Sequence, residues 1–258
     1  MRKPRVRLLR QSFLSCICLA NFSVWALDPG KPPGGNFDLT HWKLTLPDAS
    51  APEINAMQLA SGYTNASFFQ TAPDGAMLFW CPANGGTTSG SSFPRCELRE
   101  LPDPADDNLN WTGYGTHSLN ARCLVSQLPG TKKVIIGQIH GYAPNAKPLI
   151  KLQFNNGKIE ALVKADGKKD TELSFMNVGL NAPVTYQIRV VDGLLSVDVN
   201  GSNQSVNIFQ TNPGWKTNTF YFKAGNYCQD NSRQTANGAK VLFYSLQVAH
   251  TTNSPTPH

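Results

Sequence analysis

Three segments of the chain carry side chains whose types and spacing could do chemistry. The first is residues 221–229, with the sequence YFKAGNYCQ. Successive side chains of a strand point to opposite faces of a sheet, so one face here would be mainly apolar. The other face would carry Tyr221, Lys223, Gly225, Tyr227 and Gln229. A face that is polar, aromatic and cationic suits a long, hydroxylated and negatively charged ligand.

Two earlier segments show the same alternation. Residues 95–100 place on one face Arg95, Glu97 and Arg99. Residues 137–142 place on one face Gln138, His140 and Tyr142. The opposite faces carry Cys96, Leu98 and Ile139. If the three strands lie in one sheet, we expect their polar faces to form one site.

Several familiar chemistries have no support in this sequence. The motifs HExxH, GxSxG and GxxxxGK[ST] are all absent. A glycosidase needs two carboxyl groups that flank the scissile bond, but the few glutamates form no clustered pair. Glu97 lies between Arg95 and Arg99, which would hold its carboxyl ionised rather than as an acid.

The candidate residues fit another reaction, the β-elimination of a uronic-acid polymer. The proton to be removed lies beside the sugar carboxylate, whose charge opposes a neighbouring carbanion. Arg and amide donors can neutralise that carboxylate and stabilise the charge that develops. The reaction also needs a base for the C5 proton and an acid for the departing oxygen. His can serve as the base near neutral pH, and Tyr as acid, base or both.

The first 26 residues predict a secretory signal peptide. They combine five basic residues, an apolar run at 13–22 and small residues at Val24 and Ala26. Without them, 18 Lys and Arg face 17 Asp and Glu, so the charge gives no support for nucleic-acid binding. We expect a secreted or periplasmic protein, free of the membrane after cleavage and monomeric. The predicted division is 1–26 signal peptide, 27–250 one folded domain and 251–258 disordered tail.

Four cysteines remain after the signal peptide: Cys81, Cys96, Cys123 and Cys228. Their number is even, and export would bring them into an oxidising compartment. None has the spacing of a metal site. A Cys81–Cys96 bridge could close the intervening loop, but four cysteines allow three connectivities.

Short strand signals recur along the chain, and long helical periodicity is nearly absent. Tight-turn pairs separate the strands at Asn156-Gly157, Asp166-Gly167, Asp192-Gly193 and Asn200-Gly201. The pattern predicts an all-β domain of sandwich or jelly-roll type. A first strand is expected over residues 37–47 and one short helix over residues 51–60. The Gly- and Ser-rich residues 84–92 could be a lid over the site or an ordinary surface loop.

The three segments together resemble the signature strands of the alginate lyases of polysaccharide lyase family 7. They occur in the same order as in that family, and residues 37–47 resemble its first strand. The resemblance implies a single-domain β-jelly roll of two antiparallel sheets, whose concave sheet forms the substrate cleft. It also implies cleavage of alginate by β-elimination, with no cofactor and no required metal.

Carried over position by position, the resemblance implies four catalytic residues. Arg95 and Gln138 would neutralise the carboxylate. His140 would abstract the C5 proton, chiefly from guluronate, and Tyr227 would protonate the leaving oxygen. The expected substrate-binding residues are Glu97, Arg99, Tyr142, Tyr221, Lys223 and Gln229. Ile139, between the Gln and the His, is associated in the family with guluronate-containing blocks.

Other functions remain open from the residues alone. A non-catalytic carbohydrate-binding module would need the aromatic and cationic face but not the combination of Gln138, His140 and Tyr227. A sandwich-type glycoside hydrolase would give saturated products, but its carboxylate pair is missing. Another uronate polymer, such as glucuronan, would need the same four roles as alginate.

Overall fold

The computed structural model describes residues 26–165, 170–234 and 236–251. Almost all of the predicted signal peptide and residues 252–258 of the predicted tail lie outside these ranges. The predicted Asp166-Gly167 turn lies outside them as well. Within the described ranges, no helix is both long and apolar enough to cross a membrane.

Strands dominate the described residues. In chain order the strands are β1 (Trp42–Thr45), β2 (Glu53–Ile54), β3 (Phe69–Thr71), β4 (Met77–Pro82), β5 (Arg95–Glu100), β6 (Trp111–Thr112), β7 (Thr116–Gln127), β8 (Lys133–Gly141), β9 (Pro148–Asn155), β10 (Lys158–Val163), β11 (Thr171–Asn177), β12 (Val184–Val191), β13 (Leu194–Val199), β14 (Ser202–Asn207), β15 (Thr219–Cys228) and β16 (Gly238–Thr251). The helices are short: α1 (Pro33–Asn36), α2 (Ala56–Ala60), α3 (Ile208–Thr211) and a 3-10 helix, Pro213–Thr217.

The strands form two antiparallel sheets, which confirms the predicted all-β jelly-roll class. The front sheet has the order β11-β10-β9-β8-β15-β5-β1-β2, with β6 also paired to β15. The back sheet has the order β14-β13-β12-β7-β16-β4-β3. One hydrophobic core joins side chains from both sheets. The aromatic side chains of Trp215, Phe220, Phe222 and Phe243 are fully buried in it, whereas Phe209 is only partly buried.

Three of the predicted tight turns are present. In the turn that joins β9 to β10, Asn156 has φ 48° and Gly157 has φ 91°. Two successive positive φ angles define the hairpin turn whose twist matches the flanking strands, and Asn-Gly and Asp-Gly adopt it readily. Asp192-Gly193 and Asn200-Gly201 show the same pair of positive angles. These turns fix the register of the strands that they connect.

Some predicted bounds are wrong, and the reasons are local. The first strand covers only Trp42–Thr45 of the expected residues 37–47. The helix expected within 51–60 covers only Ala56–Ala60, because Asn55 caps it through a reciprocal hydrogen-bonded pair with Gln58. Strand β16 runs to Thr251, which pairs with Thr116 and so belongs to the back sheet rather than to a tail.

The four described cysteines are buried free thiols. The Cys81–Cys96 bridge considered from the sequence is therefore not present. The Cys96 thiol donates to the Phe68 carbonyl oxygen at 3.3 Å, and the Cys228 thiol donates to the Asp230 carbonyl oxygen at 3.9 Å. As the alternation predicted, Cys96 and Cys228 point into the protein interior and not towards the polar face.

Candidate active site

The three polar segments lie side by side in the front sheet. Strand β15 is the middle one, with β5 on one side and β8 on the other. Lys223 is opposite Arg99 on β5 and opposite Gln138 on β8. The expectation that these strands share one sheet is therefore confirmed, and their polar faces form one continuous surface.

A bulge in β15 adjusts this surface next to Tyr227. The register with β8 shifts between Ala224 and Tyr227. Gly225, within the bulge, has φ 137°, and a Cβ added there would lie 2.9 Å from the Cys96 carbonyl oxygen. Only glycine tolerates both the backbone conformation and the close approach of β5. The glycine thus allows Tyr227 to lie opposite Arg95.

Glu97 is the centre of the hydrogen-bond network on this face. It is 1% exposed. Arg95 Nη1 is 3.1 Å from Glu97 Oε2, and Lys223 Nζ is 2.6 Å from the same oxygen. Gln138 Nε2 donates to Oε1 in a short hydrogen bond. Burial raises the pKa of Glu97, but the charges of Lys223 and Arg95 and the hydrogen bonds outweigh it, so the pKa is below its usual value.

Arg95 and Tyr227 form the second part of the network. The Arg95 guanidinium carbon lies 3.9 Å from the centre of the Tyr227 ring. Arg95 Nη2 donates to Ser91 Oγ at 3.0 Å, and that oxygen is also 3.0 Å from the Tyr227 hydroxyl. The Arg95 Nε–H is buried and has no hydrogen-bond partner among the described residues. A buried unpaired donor is uncommon in folded proteins and marks a place where an acceptor from outside could bind.

His140 is held as a neutral ring with one defined tautomer. Its Nδ1 is 2.7 Å from the Gly141 carbonyl oxygen, which can only accept, so Nδ1 carries the hydrogen. Burial lowers the pKa of His140 to about 4, and the charges of Lys223 and Arg95 act in the same direction. At neutral pH the Nε2 atom therefore has a free lone pair, as a base requires.

Electrostatics give this face a net positive charge. Burial lowers the pKa of Lys223 to about 8, although Glu97 opposes the shift, so the ammonium is still charged at neutral pH. Arg95, Arg99 and Lys223 together outnumber the two carboxylates that pair with them, Glu97 and Asp107. The surface predicted from the sequence thus combines three cations, two amides, a neutral imidazole and three phenols with the carboxylate of Glu97.

Comparisons with known proteins agree with this geometry. A family model described as alginate lyase matches residues 37–250. The chain belongs to the alginate lyases of polysaccharide lyase family 7. The solved alginate lyase A1-II′, a member of that family, is 42% identical with a TM-score of 0.83, over 86% of this chain and 100% of that one.

Two more relatives support the same assignment. A solved alginate lyase of Pseudomonas aeruginosa is 36% identical with a TM-score of 0.76, over 83% of this chain and 100% of that one. An alginate lyase of Klebsiella pneumoniae is 25% identical over 301 residues, which cover 92% of this chain and 96% of that protein. This chain is therefore an enzyme of the alginate lyase type, and the non-catalytic binding module and the hydrolase are set aside.

Except for Gln229, the remaining predicted residues of this alginate lyase lie around Arg99. The Arg99 guanidinium carbon is 4.3 Å from the centre of the Tyr221 ring and 5.9 Å from that of Tyr142. Its Nη2 donates to the Asp107 carbonyl oxygen at 2.9 Å. Arg99 therefore turns away from Glu97, and Lys223 rather than Arg99 is the second cation on that carboxylate. Beyond the end of β15, Gln229 Nε2 is 3.4 Å from the Tyr227 carbonyl oxygen.

The sequence did not single out two residues that contact this surface. Ser91 bonds both Arg95 and Tyr227 from the loop before β5. Asn108 accepts a short hydrogen bond from the Tyr142 hydroxyl. Both residues are in loops, where no alternation indicates the direction of a side chain. The flexible composition of residues 84–92 was the only signal near Ser91.

Proposed function

We propose that this alginate lyase cleaves the 4-O-glycosidic bond by β-elimination, leaving 4,5-unsaturated uronate ends. The proposal further holds that it acts within the chain of the polymer and on guluronate-containing blocks. One observation carries the mechanism: a neutral His140, with its lone pair on Nε2, lies on the same face as the cationic network around Glu97. A base beside a group that neutralises a carboxylate is the pair that the reaction requires.

Arg95 and Gln138 would bind the carboxylate of the sugar that loses its C5 proton. Arg95 offers the buried Nε–H that has no partner among the described residues. Gln138 Nε2 has two hydrogens and gives one to Glu97, so the second can reach the substrate. Charge-assisted hydrogen bonds from these groups stabilise the negative charge that builds up as C5 loses its proton.

His140 would remove the C5 proton through Nε2. The Gly141 carbonyl oxygen holds the opposite nitrogen at 2.7 Å. The Tyr221 hydroxyl is 3.2 Å from that nitrogen, and the two rings stack with centroids 5.4 Å apart. Once His140 accepts the proton, both nitrogens carry hydrogens, and Gly141 and Tyr221 are in place to stabilise the imidazolium.

Tyr227 would donate its phenolic proton to the glycosidic oxygen as the bond to C4 breaks. The Arg95 guanidinium over its ring would stabilise the phenolate that remains. With mannuronate, whose C5 proton lies on the other face of the sugar, Tyr227 would start as the phenolate, accept the C5 proton and pass it to the leaving oxygen. A variant of A1-II′ with one His and one Tyr replaced has been solved with the substrate GGMG, which supports this pair of roles.

The other polar residues of the face have supporting roles in the proposal. Glu97 would hold Arg95, Lys223 and Gln138 in place instead of touching the polymer, since its oxygens already accept from all three. The residues that would line subsites are Arg99, Tyr142, Tyr221, Lys223 and Gln229. The row from Tyr221 to Gln229 extends over about 26 Å at the rise of a strand, longer than one sugar ring. This length supports cleavage within the chain.

The preference for guluronate rests on weaker grounds. Ile139, which the family resemblance associates with guluronate, is fully buried and faces the interior between the sheets. Its effect would therefore be indirect, through the position of the strand that carries Gln138 and His140. A neutral His140 as the C5 base adds support. We also propose that the enzyme is exported to the periplasm or the medium and acts as a monomer.

The decisive experiment compares the wild type with Tyr227→Phe on separate polyguluronate and polymannuronate. The readout is the ultraviolet absorbance of the unsaturated uronate. Loss of the general acid should lower kcat by about 10²-fold or more while the fold is kept. Tyr114→Phe is the matched control, because Tyr114 is half exposed and distant from this network. Full activity of Tyr227→Phe on both polymers would contradict the mechanism.

The same assay tests substrate and mode of action. A faster rise on polyguluronate would support the block preference, and a rise only on another uronate polymer would overturn the choice of substrate. A rapid fall in viscosity early in the reaction is expected of an enzyme that cuts within the chain. Release of one small product from the start would contradict that mode.

A further inference from the structure

We infer that Ser91 is a positioning residue for the reaction, holding the Tyr227 hydroxyl and joining it to Arg95. The inference rests on the proposed function, because it takes Tyr227 to be the proton donor. Ser91 lies in the loop of residues 83–94 that connects β4 to β5, and it is half-buried. Among the described residues, it is the only hydrogen-bond partner of the Tyr227 hydroxyl.

Other contacts fix the Tyr227 ring but leave its hydroxyl undirected. The Arg95 guanidinium stacks over the ring at 3.9 Å. Phe93 meets it edge-on, with centroids 6.4 Å apart. Both contacts determine the plane of the ring, and neither determines where the phenolic hydrogen points. The hydrogen bond to Ser91 Oγ, at 3.0 Å, supplies that direction.

The donors and acceptors around Ser91 show how it would serve both states of the tyrosine. A hydroxyl has one hydrogen and two acceptor lone pairs. Arg95 Nη2, at 3.0 Å, can only donate to Ser91 Oγ, and the Phe93 carbonyl oxygen, at 2.9 Å, can only accept from it. When the Ser91 hydroxyl donates to the Phe93 carbonyl oxygen, the Tyr227 hydroxyl must be the donor in its hydrogen bond with Ser91 Oγ. The backbone N–H of Phe93 makes the longest contact with Ser91 Oγ, at 3.3 Å.

To give its proton to the leaving oxygen, the Tyr227 O–H turns from Ser91 to that oxygen, and the Ser91 hydroxyl can then rotate. Its hydrogen then leaves the Phe93 carbonyl and points to the phenolate oxygen of Tyr227. Ser91 gains and loses no proton in this change; it exchanges one acceptor for another. The Arg95 guanidinium on Ser91 Oγ polarises the O–H bond and makes it a better donor to the phenolate. Ser91 therefore favours the state that Tyr227 reaches in the transition state.

The test is Ser91→Ala, measured on the polymer that the wild type cleaves faster. A hydrogen bond that strengthens in the transition state acts on kcat, so kcat should fall about tenfold with KM nearly unchanged. Ser91→Thr keeps the hydroxyl and should restore most of kcat. Ser89→Ala is the matched control, because Ser89 is exposed on the same loop, and it should retain the wild-type kcat.

A double variant shows whether Ser91 acts through Tyr227. Added to Tyr227→Phe, the Ser91→Ala change should cause no further loss of the residual rate, because the hydroxyl it serves is already gone. A wild-type kcat for Ser91→Ala, or a loss confined to KM, would overturn the inference. So would a further tenfold loss in the double variant. If Tyr227→Phe alone were fully active, the proposed function would fail instead, and the two failures are thus distinguishable.

Discussion

Two glutamates of the same strand, Glu97 and Glu100, have equal burial and different surroundings. Each is 1% exposed. They are three residues apart in β5, so the alternation of a strand sends them to opposite faces of the sheet. Glu97 lies on the polar front face and Glu100 lies between the sheets. Comparing their hydrogen-bond and ionic partners shows how a buried carboxylate of the candidate active site differs from a structural one.

Most hydrogen-bond partners of Glu100 are neutral groups, and both of its carboxylate oxygens have a partner. Its Oε2 accepts from Trp111 Nε1 at 3.0 Å and from the Phe222 backbone N–H at 2.8 Å. Its Oε1 is 2.5 Å from His250 Nε2, and His250 in turn meets His117 at 2.8 Å. This cluster ties β5, β15 and β16 together. It is a closed structural network.

The partners of Glu97 are two cations and the amide of Gln138, and one of the cations keeps an unpaired donor. Arg95 and Lys223 bring two positive charges to one negative charge, and the Arg95 Nε–H finds no partner among the described residues. The surplus charge and the unused donor are what a uronate carboxylate would satisfy. A buried carboxylate therefore serves this enzyme in two ways, as a closed structural tie and as the anchor of an open cationic site.

One cavity of the molecule differs from the front face in the residues that line it. A cavity of about 890 Å³ lies beside Glu100, His117 and His250, and its other ionisable lining residues are Asp38 and His41. Such a lining offers no Lys or Arg to an anionic polymer. The front face instead has its cations arranged along an open row of strand residues. The charge of the lining, more than its volume, distinguishes the two regions.

The largest effect is expected from Glu97→Gln. The amide keeps the shape but removes the charge, which leaves Arg95 and Lys223 buried and repelling each other. The free energy of unfolding should fall by about 3 kcal/mol, and kcat/KM should fall about 100-fold as both cations and Gln138 lose their anchor. Denaturant unfolding and the absorbance assay would measure the two losses. Near-wild-type activity would mean that Glu97 does not organise the site.

A change of pH is expected to alter kcat/KM less than the Glu97→Gln substitution does. His140 must be neutral to act as a base, so activity is present above its pKa of about 4 and is lost as the pH falls through it. Lys223 must be charged, so activity is present below its pKa of about 8 and is lost as the pH rises through it. A plot of kcat/KM against pH reports such groups in the free enzyme and should be bell-shaped.

Lys223→Arg tests whether Lys223 causes the fall in kcat/KM at high pH. The guanidinium stays charged throughout this range, so the fall above pH 8 should move to higher pH, whatever the height of the maximum. The charged groups that face Lys223 are Glu97, Arg95 and Arg99, and none of them is expected to change its charge there. If the fall in kcat/KM above pH 8 does not move in Lys223→Arg, that fall belongs to a group other than Lys223.

The smallest effect is expected from Glu100→Gln. The amide oxygen can still accept from Trp111 Nε1 and the Phe222 backbone N–H, so only the contact with His250 changes. The free energy of unfolding should therefore fall by only about 1 kcal/mol. Since no cation of the front face depends on Glu100, kcat/KM should stay within about threefold of the wild type. A loss of activity as large as that of Glu97→Gln would erase the distinction between the two glutamates.

The strands that could be predicted were those with a clear apolar alternation. Apolar residues alternate with polar ones over 184–191 and 194–199, and the strands Val184–Val191 and Leu194–Val199 have those bounds. Strand β14, Ser202–Asn207, was missed because it is a polar strand at the edge of the back sheet and buries little. The two-residue strands β2 and β6 were missed because two residues cannot show a period.

By itself, the sequence determined which side chains share a face and which chemistry they could do. Side chains alternate between the two faces along a strand, so the sequence alone shows which of them share a face. The types of these residues indicate the class of reaction. The tertiary structure alone decided which strands are neighbours and where the loops return. The position of β15 between β5 and β8, the choice of Lys223 over Arg99 as partner of Glu97, and the contact of Ser91 with Tyr227 all depend on strand order and register. These are long-range pairings, and no local pattern in the chain encodes them.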